Sequence, residues 1–379
     1  MARLIALVLI SLTGVTIAIA QPIVAIGLTA VGSLGGQSGI GNAVNSVGQI
    51  VGSSDIAGGA QTHGFLYSAG TATDLGTFGG TNSYAYGINS SGQVVGWAEN
   101  SSGVQRAFLY SGGTKTDLGT LGGSISRAYG INTGGQIVGT AYSATEEHRP
   151  FLYSGGVMTD LGSFGGTWGR AMSINSSGIV VGTSQNASGN ARAFVYSGGT
   201  LQELGTLGGN WSDVAKINDS NQIVGGTANA SGQGRAFLFQ EGAMTEIPLV
   251  AGHTSAYANS INNHGVVVGN SSQSGSSRAF LYDGTTSHDL NYVAASLLSD
   301  GSTPGFTALL MAQDINDSGT VVGTGMYFDG ASSYWQAYSL TISSVPEPST
   351  YAAVLGVLVA AFVALRQSRY IRTSIKRQR

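Results

Sequence analysis

Short apolar runs, separated by Gly, Asn and Ser, recur along the middle of the chain at a regular spacing. A phrase of the type Arg-Ala-Phe-Leu-Tyr-Ser-Gly-Gly puts its first aromatic at Phe65, Phe108, Phe151, Phe194, Phe237 and Phe280, each 43 residues after the last, with Tyr338 as a weaker seventh copy. A second phrase, I-N-x-x-G-x-V-V-G, places asparagine at Asn45, Asn89, Asn132, Asn175, Asn218, Asn262 and Asn316. A third, D-L-G-T-x-G-G, starts at Asp74, Asp117, Asp160 and Glu203, survives at Glu246 and Asp289, and has its first copy at Ala30. In the third unit these phrases predict strands at 116–121, 128–132, 136–141 and 149–153, because Val, Ile and aromatic residues favour extended backbone. Asn-x-x-Gly predicts a tight turn, the asparagine bonding nearby backbone and the glycine accepting positive φ. Ser-Gly-Gly predicts a second hairpin turn. The apolar positions are consecutive, not alternate, so both faces of each sheet are buried. Four short strands per repeat, covered on both faces, predict an all-β, seven-bladed β-propeller over residues 28–342. A two-turn solenoid or a stacked sandwich is the alternative that the same pattern allows.

Charges inside the repeat bear on how it closes. A basic residue stands two positions before each aromatic (His63, Arg106, Arg149, Arg192, Arg235, Arg278), and an acid follows it by eleven (Asp74, Asp117, Asp160, Glu203, Glu246, Asp289). With a Gly-Gly turn between them, the two fall diagonally on one face of a hairpin and form structural ion pairs. The last unit has Gln336 in the basic position and the first has Ala30 in the acidic one. Two neutral residues meet there only if the amino-terminal strand completes the last blade, which predicts a ring closed by that strand.

Both ends differ from the body. Arg3, the mostly apolar stretch 4–17 and Ala18-Ile19-Ala20 read as a signal peptide over residues 1–20; an uncleaved anchor is the alternative. Residues 351–365 are uncharged and apolar, and six bases crowd into 366–379, which predicts a transmembrane helix with a basic cytoplasmic tail. Between body and helix, residues 343–350 contain Val345-Pro346-Glu347-Pro348, where alternate prolines block helix and sheet and leave an extended, accessible segment. This order of Pro-Glu-Pro, short apolar helix and basic cluster resembles the PEP-CTERM sorting signal of Gram-negative bacteria that make exopolysaccharide. The resemblance covers residues 345–379. It implies that Val345, Pro346, Glu347 and Pro348 are the sorting and cleavage motif and that an exosortase-type transpeptidase is the processing partner. It also implies a membrane-anchored precursor and a mature form at the cell surface or outside the cell. The basic tail is longer than is usual for that signal. The repeats, over about residues 28–340, resemble the HAF family of extracellular repeats. Here arginine mostly replaces that family's histidine, as in Arg106-Ala107-Phe108, so no role of the histidine is carried over and the resemblance implies no chemistry.

Composition narrows the function classes. Only 9% of residues are charged, against roughly 25% in an ordinary domain. The body holds nine bases against eighteen acids, which excludes a nucleic-acid partner. The absence of cysteine excludes disulfides and thiolate metal sites. His63, His148, His253, His264 and His288 fall at different phases of the repeat and form no HExxH, so no metal or other cofactor is expected. Asp314-x-Asn316-x-Ser318-Gly319 starts like a calcium loop, but Gly325 stands where the terminal Glu belongs, and a turn is the simpler reading. No catalytic constellation is found. Three features break the symmetry: an insertion at about 291–310, the Glu146-Glu147-His148 loop with its unpaired acids, and Trp168 and Trp211 at one phase of consecutive units. The two indoles are placed in crossover loops on one face, either as a glycan-binding pair or as caps on gaps between blades. Two functions follow: a non-catalytic surface or matrix protein binding polysaccharide or a surface protein, or a secreted glycosidase or lyase on a propeller scaffold.

Overall fold

The structure, a computed structural model, describes residues 23–273 and 275–343. The signal peptide, the sorting motif and the apolar helix of the sequence reading lie outside the described residues. Seven antiparallel sheets of four strands are arranged in a ring, a seven-bladed β-propeller. In the third blade the strands run Gly122–Ile131, Ile137–Ser143, His148–Ser154 and Val157–Asp160, innermost first. In the first five blades the innermost strand starts at the Gly-Gly pair itself, several residues earlier than the sequence predicts; in the sixth and seventh it starts at Ser255 and Gly305. The reason is steric: a Cβ on Gly123 would meet the Ser143 carbonyl oxygen at 2.3 Å, so the strands approach this closely only through glycine.

The seventh blade takes its outermost strand from the other end of the chain. Ala25–Ala30 pairs with Ser333–Ile342, with Ala30 opposite Tyr338. Gln336 Nε2 donates to the Val31 carbonyl at 2.8 Å, so the neutral glutamine and the Ala30 segment meet as the missing charge pair foretold.

Hydrophobic cores lie between blades, not within them. One core combines Val95, Ala107 and Leu118 of the second blade with Ala128, Ile137, Ala141 and Phe151 of the third. A single unit therefore has nothing to cover its second face, and the ring forms as a whole. The six repeat phenylalanines and Tyr338 are all essentially inaccessible to solvent.

Seven asparagines tie the ring together. Each Nδ2 donates to the backbone carbonyl of the corresponding asparagine in the next blade: Asn45 to Asn89, Asn89 to Asn132, Asn132 to Asn175, Asn175 to Asn218, Asn218 to Asn262, Asn262 to Asn316, and Asn316 back to Asn45 at 3.0 Å. Each Oδ1 meanwhile accepts an amide of its own turn, as from Gln49 to Asn45 at 2.9 Å. The residue read as a local turn former is also a link between blades.

Most of the anticipated ion pairs form. His63–Asp74, Arg106–Asp117, Arg192–Glu203 and Arg235–Glu246 close at 2.8–3.0 Å. Their carboxylates remain about 40% exposed, which limits each pair to roughly 0–1 kcal/mol. Two do not form. Arg149 turns from Asp160 to Glu147, which sits two residues away and so projects from the same side of the extended chain. Glu147 is therefore paired, contrary to the sequence reading, and Glu146 accepts from Ser124 Oγ at 2.8 Å. The Arg278–Asp289 pair fails because the insertion begins with a one-turn helix, Leu290–Val293, and Asp289 caps it by accepting from the Asn291 amide. The repeat pattern predicts no helix in the body, yet the start of the insertion forms one of four residues.

Lys115 breaks the repeat in a different way. Ala72, Met158, Leu201 and Met244 occupy its position in other blades. Its ammonium donates to the Leu75 and Thr77 carbonyls at 2.9 and 2.8 Å and lies over the Phe78 ring, and burial pushes its pKa down to about 8. A folded pKa below the unfolded one means the unfolded chain holds the extra proton between about pH 8 and 10.5, so stability rises with pH across that window. Lys115→Met is expected to stabilise the ring by about 1 kcal/mol at pH 7. In urea titrations at stepped pH the gain should shrink from pH 8 upward. A gain independent of pH would refute the assignment.

Candidate functional site

A cavity of about 350 Å³ occupies the centre of the ring. Seven of the residues in its wall share one structural origin. Every innermost strand carries an irregularity of register against its neighbour, leaving one residue unpaired: Asn42, Tyr86, Tyr129, Met172, Ala215, Asn259 and Gln313. A bulge kinks a strand and re-aims a side chain. All seven of these residues line the cavity. They stand three positions before the ring asparagines, at a place that varies from unit to unit within a repeated phrase. Variation at a fixed phase of the repeat is the sequence signal that marks them.

The residues divide the wall into sectors. On one side Tyr86 and Tyr129 lie 5.4 Å apart between ring centroids. Trp97 donates from its Nε1 to the Tyr86 hydroxyl at 3.3 Å and stacks on Tyr84 at 4.7 Å. Burial raises the Tyr86 pKa, so its hydroxyl stays protonated and able to donate across the ordinary pH range. Carboxamides of Asn42, Asn259 and Gln313 line the other side; Asn42 and Asn259 donate to the Ala85 and Ala312 carbonyls.

Charges near the cavity are matched internally. Lys216 bonds to Asp314, whose carboxylate also accepts from Ser260 Oγ at 2.6 Å and the Val44 amide at 3.0 Å. These partners consume the aspartate that opened the calcium-like phrase. Arg170 pairs with Asp213 at 2.8 Å, and Asp213 further accepts from Thr183 and from the Tyr257 hydroxyl at 2.9 Å. Burial, and then the Asp213 charge, hold the Tyr257 phenol well above its ordinary pKa. A wall that sets hydroxyls, amides and aromatic rings among aliphatic side chains such as Val44, Ile88, Met172 and Ile217, with its Lys216–Asp314 pair closed on itself, suits a neutral, polyhydroxylated ligand.

Trp168 and Trp211 do not stand in crossover loops. They lie within the innermost strands Gly165–Ile174 and Gly208–Ile217, half-buried, because those strands begin at the Gly-Gly pair. The Arg170 guanidinium sits 5.3 Å from the Trp168 ring centroid. The two indoles occupy equivalent places in adjacent blades, and neither lines the cavity.

One buried group has the residue types of an acyl-transfer triad. Ser271 Oγ is 2.6 Å from His253 Nδ1, and Asp289 Oδ2 is 4.0 Å from His253 Nε2. Ser271 is 2% exposed, so no substrate reaches its hydroxyl and the set acts as packing.

No family model matches the chain, and no curated protein does. Solved structures similar to it are propellers or contain them. The β-propeller domain of the Trilobed protease from Pyrococcus furiosus is 10% identical, covers 87% of this chain and 98% of that one, and has a TM-score of 0.49. A prolyl endopeptidase structure is 10% identical over 83% of this chain and 51% of its own, with a TM-score of 0.50. TolB from Acinetobacter baumannii is 11% identical over 82% of this chain and 66% of its own, with a TM-score of 0.44. The chain thus spans about half the prolyl endopeptidase and just under two thirds of TolB. At such identities the likeness is one of fold.

Proposed function

We propose that the protein is an exported, non-catalytic repeat protein that binds a neutral polysaccharide at the mouth of its central channel. The bulged wall carries this reading: seven irregular side chains on a regular ring, rich in hydroxyls, amides and aromatic surface. Sugar rings stack by their C–H faces on aromatics and hydrogen-bond at their rims. The non-catalytic part rests on the acids, since Asp213 and Asp314 beside the cavity are both held by basic partners. A glycosidase needs a carboxyl pair free to exchange protons.

Replacing Tyr86 and Tyr129 together by alanine is expected to weaken binding at least tenfold on an array of neutral glycans, with the same glycan preferred by the remainder. Unchanged binding would overturn the channel assignment, and release of reducing ends from any arrayed glycan would overturn the non-catalytic one.

Export is the second half of the proposal, supported by the signal-like residues 1–20 and by the resemblance of residues 345–379 to a PEP-CTERM signal, with the repeats resembling HAF proteins. Changing Pro346, Glu347 and Pro348 to alanine should hold the protein in the inner membrane of a host that carries an exosortase. Equal secretion of both forms would refute the sorting role.

A further inference from the structure

The insertion between the sixth and seventh blades lines a second cavity, of about 400 Å³. Its wall includes Gln273, Arg278, Asp289, Tyr292, Ser299 and Asp300. We propose that this cleft binds one neutral sugar unit, stacked on Tyr292 and hydrogen-bonded by Arg278. The proposal shares the ligand class of the channel reading and rests on it to that extent; the site itself is separate.

Three observations carry it. The first is the fate of the arginine. In the second, fourth and fifth blades the equivalent guanidinium is engaged by an acid eleven residues on. In the sixth that acid is drawn away: Asp289 accepts from the Asn291 amide at 2.8 Å and the Asn291 side chain at 2.9 Å, and faces His253. Among the described residues the Arg278 guanidinium has no hydrogen-bonding partner, and it lines the cleft. A part-buried guanidinium that no protein group engages has only water to exchange for a ligand that meets its donors.

The second is Tyr292, 78% exposed, which stands on the inserted helix and brings an aromatic ring to the wall of the cleft. The third is preorganisation. Asn291 donates to the Leu309 carbonyl at 2.9 Å and accepts its amide at 2.7 Å. The loop beyond is cross-braced by Ser299 to Phe306 and by Ser299 to Thr303. The helix and loop that carry the wall are therefore held without a ligand, which lowers the entropy lost on binding.

The charge balance selects the ligand. Two carboxylates, Asp289 and Asp300, line the cleft beside one arginine. That excess disfavours an acidic sugar, whereas a mixed set of donors and acceptors matches the adjacent hydroxyls of a neutral hexose.

Saturation-transfer NMR of the full chain with D-glucose, D-galactose, D-mannose and L-rhamnose, and with D-glucuronate as the charged control, tests this. At least one neutral sugar should give a signal that falls tenfold or more in Tyr292→Ala and in Arg278→Met and survives in the Tyr86→Ala/Tyr129→Ala double variant. Circular dichroism melting confirms that each variant is folded, and Tyr292→Phe, which keeps the ring, should retain the signal. Loss only in the channel variant, or a signal from glucuronate alone, overturns the cleft while leaving the channel reading to stand on its own result. A signal insensitive to Tyr292 and Arg278, or none from any sugar, overturns the cleft, and the glycan array decides the channel separately.

Discussion

Gly182→Ala should destabilise the ring by at least about 4 kcal/mol, more than any other single methyl addition in the strands of the fourth blade. A Cβ there would lie 2.1 Å from the Arg170 carbonyl oxygen and 2.7 Å from the Phe194 ring. The ring atom could yield by a rotation, but the carbonyl belongs to the facing strand, which is pinned by its ladder to Thr183 and Gly182. Gly52, Gly96, Gly139, Gly225, Gly269 and Gly323 meet the same obstacle, each within 1.9–2.1 Å of a backbone oxygen. This explains why V-V-G or a close variant closes the second phrase in every unit. Urea unfolding of Gly182→Ala, alone and with Phe194→Leu, checks the account. The double variant should gain nothing back, because its second substitution relieves the wrong contact. Recovery in the double, or a loss below about 1 kcal/mol in the single, would contradict it.

Removing one amide of the asparagine ring should cost roughly 3 kcal/mol, since it leaves a turn amide and a neighbouring carbonyl unsatisfied in a buried setting at about 1–3 kcal/mol each. Asn316→Ala is the informative variant. Its Nδ2 reaches the Asn45 carbonyl across the junction of the last blade with the first, and its Oδ1 accepts the Thr320 amide at 2.9 Å. The loss should match that of Asn175→Ala, far from the junction, if closure is as tight as any other blade contact. A much smaller effect at Asn316, seen in thermal melts of the two variants, would mean that the ring closes loosely and that the belt is not continuous in solution.

Much of this was legible in the chain before any coordinates. The 43-residue period, the consecutive apolar positions and the neutral Ala30 and Gln336 were enough to anticipate seven closed blades, because a repeat that buries both faces needs neighbours on both sides. Four of the six charge pairs were readable for the same reason: a hairpin of known length sets which side chains lie diagonally opposite. The two failures are instructive. Glu147 and the inserted helix are local departures from the repeat, and each captures a partner that the regular pattern had assigned elsewhere.

By itself the sequence determined whatever depends on period and polarity: strand number, turn chemistry, ring size and closure. Tertiary structure decided everything that depends on where an unpaired residue is aimed. The bulge that turns Tyr86, Tyr129 and Gln313 to the channel arises from fitting an innermost strand against both its own sheet and the next blade, a condition no single segment contains. Likewise, the second role of each asparagine exists only once the neighbouring carbonyl has arrived from 43 or more residues away. Local patterns specify what a residue can bond to; only the assembled ring specifies which partner is within reach.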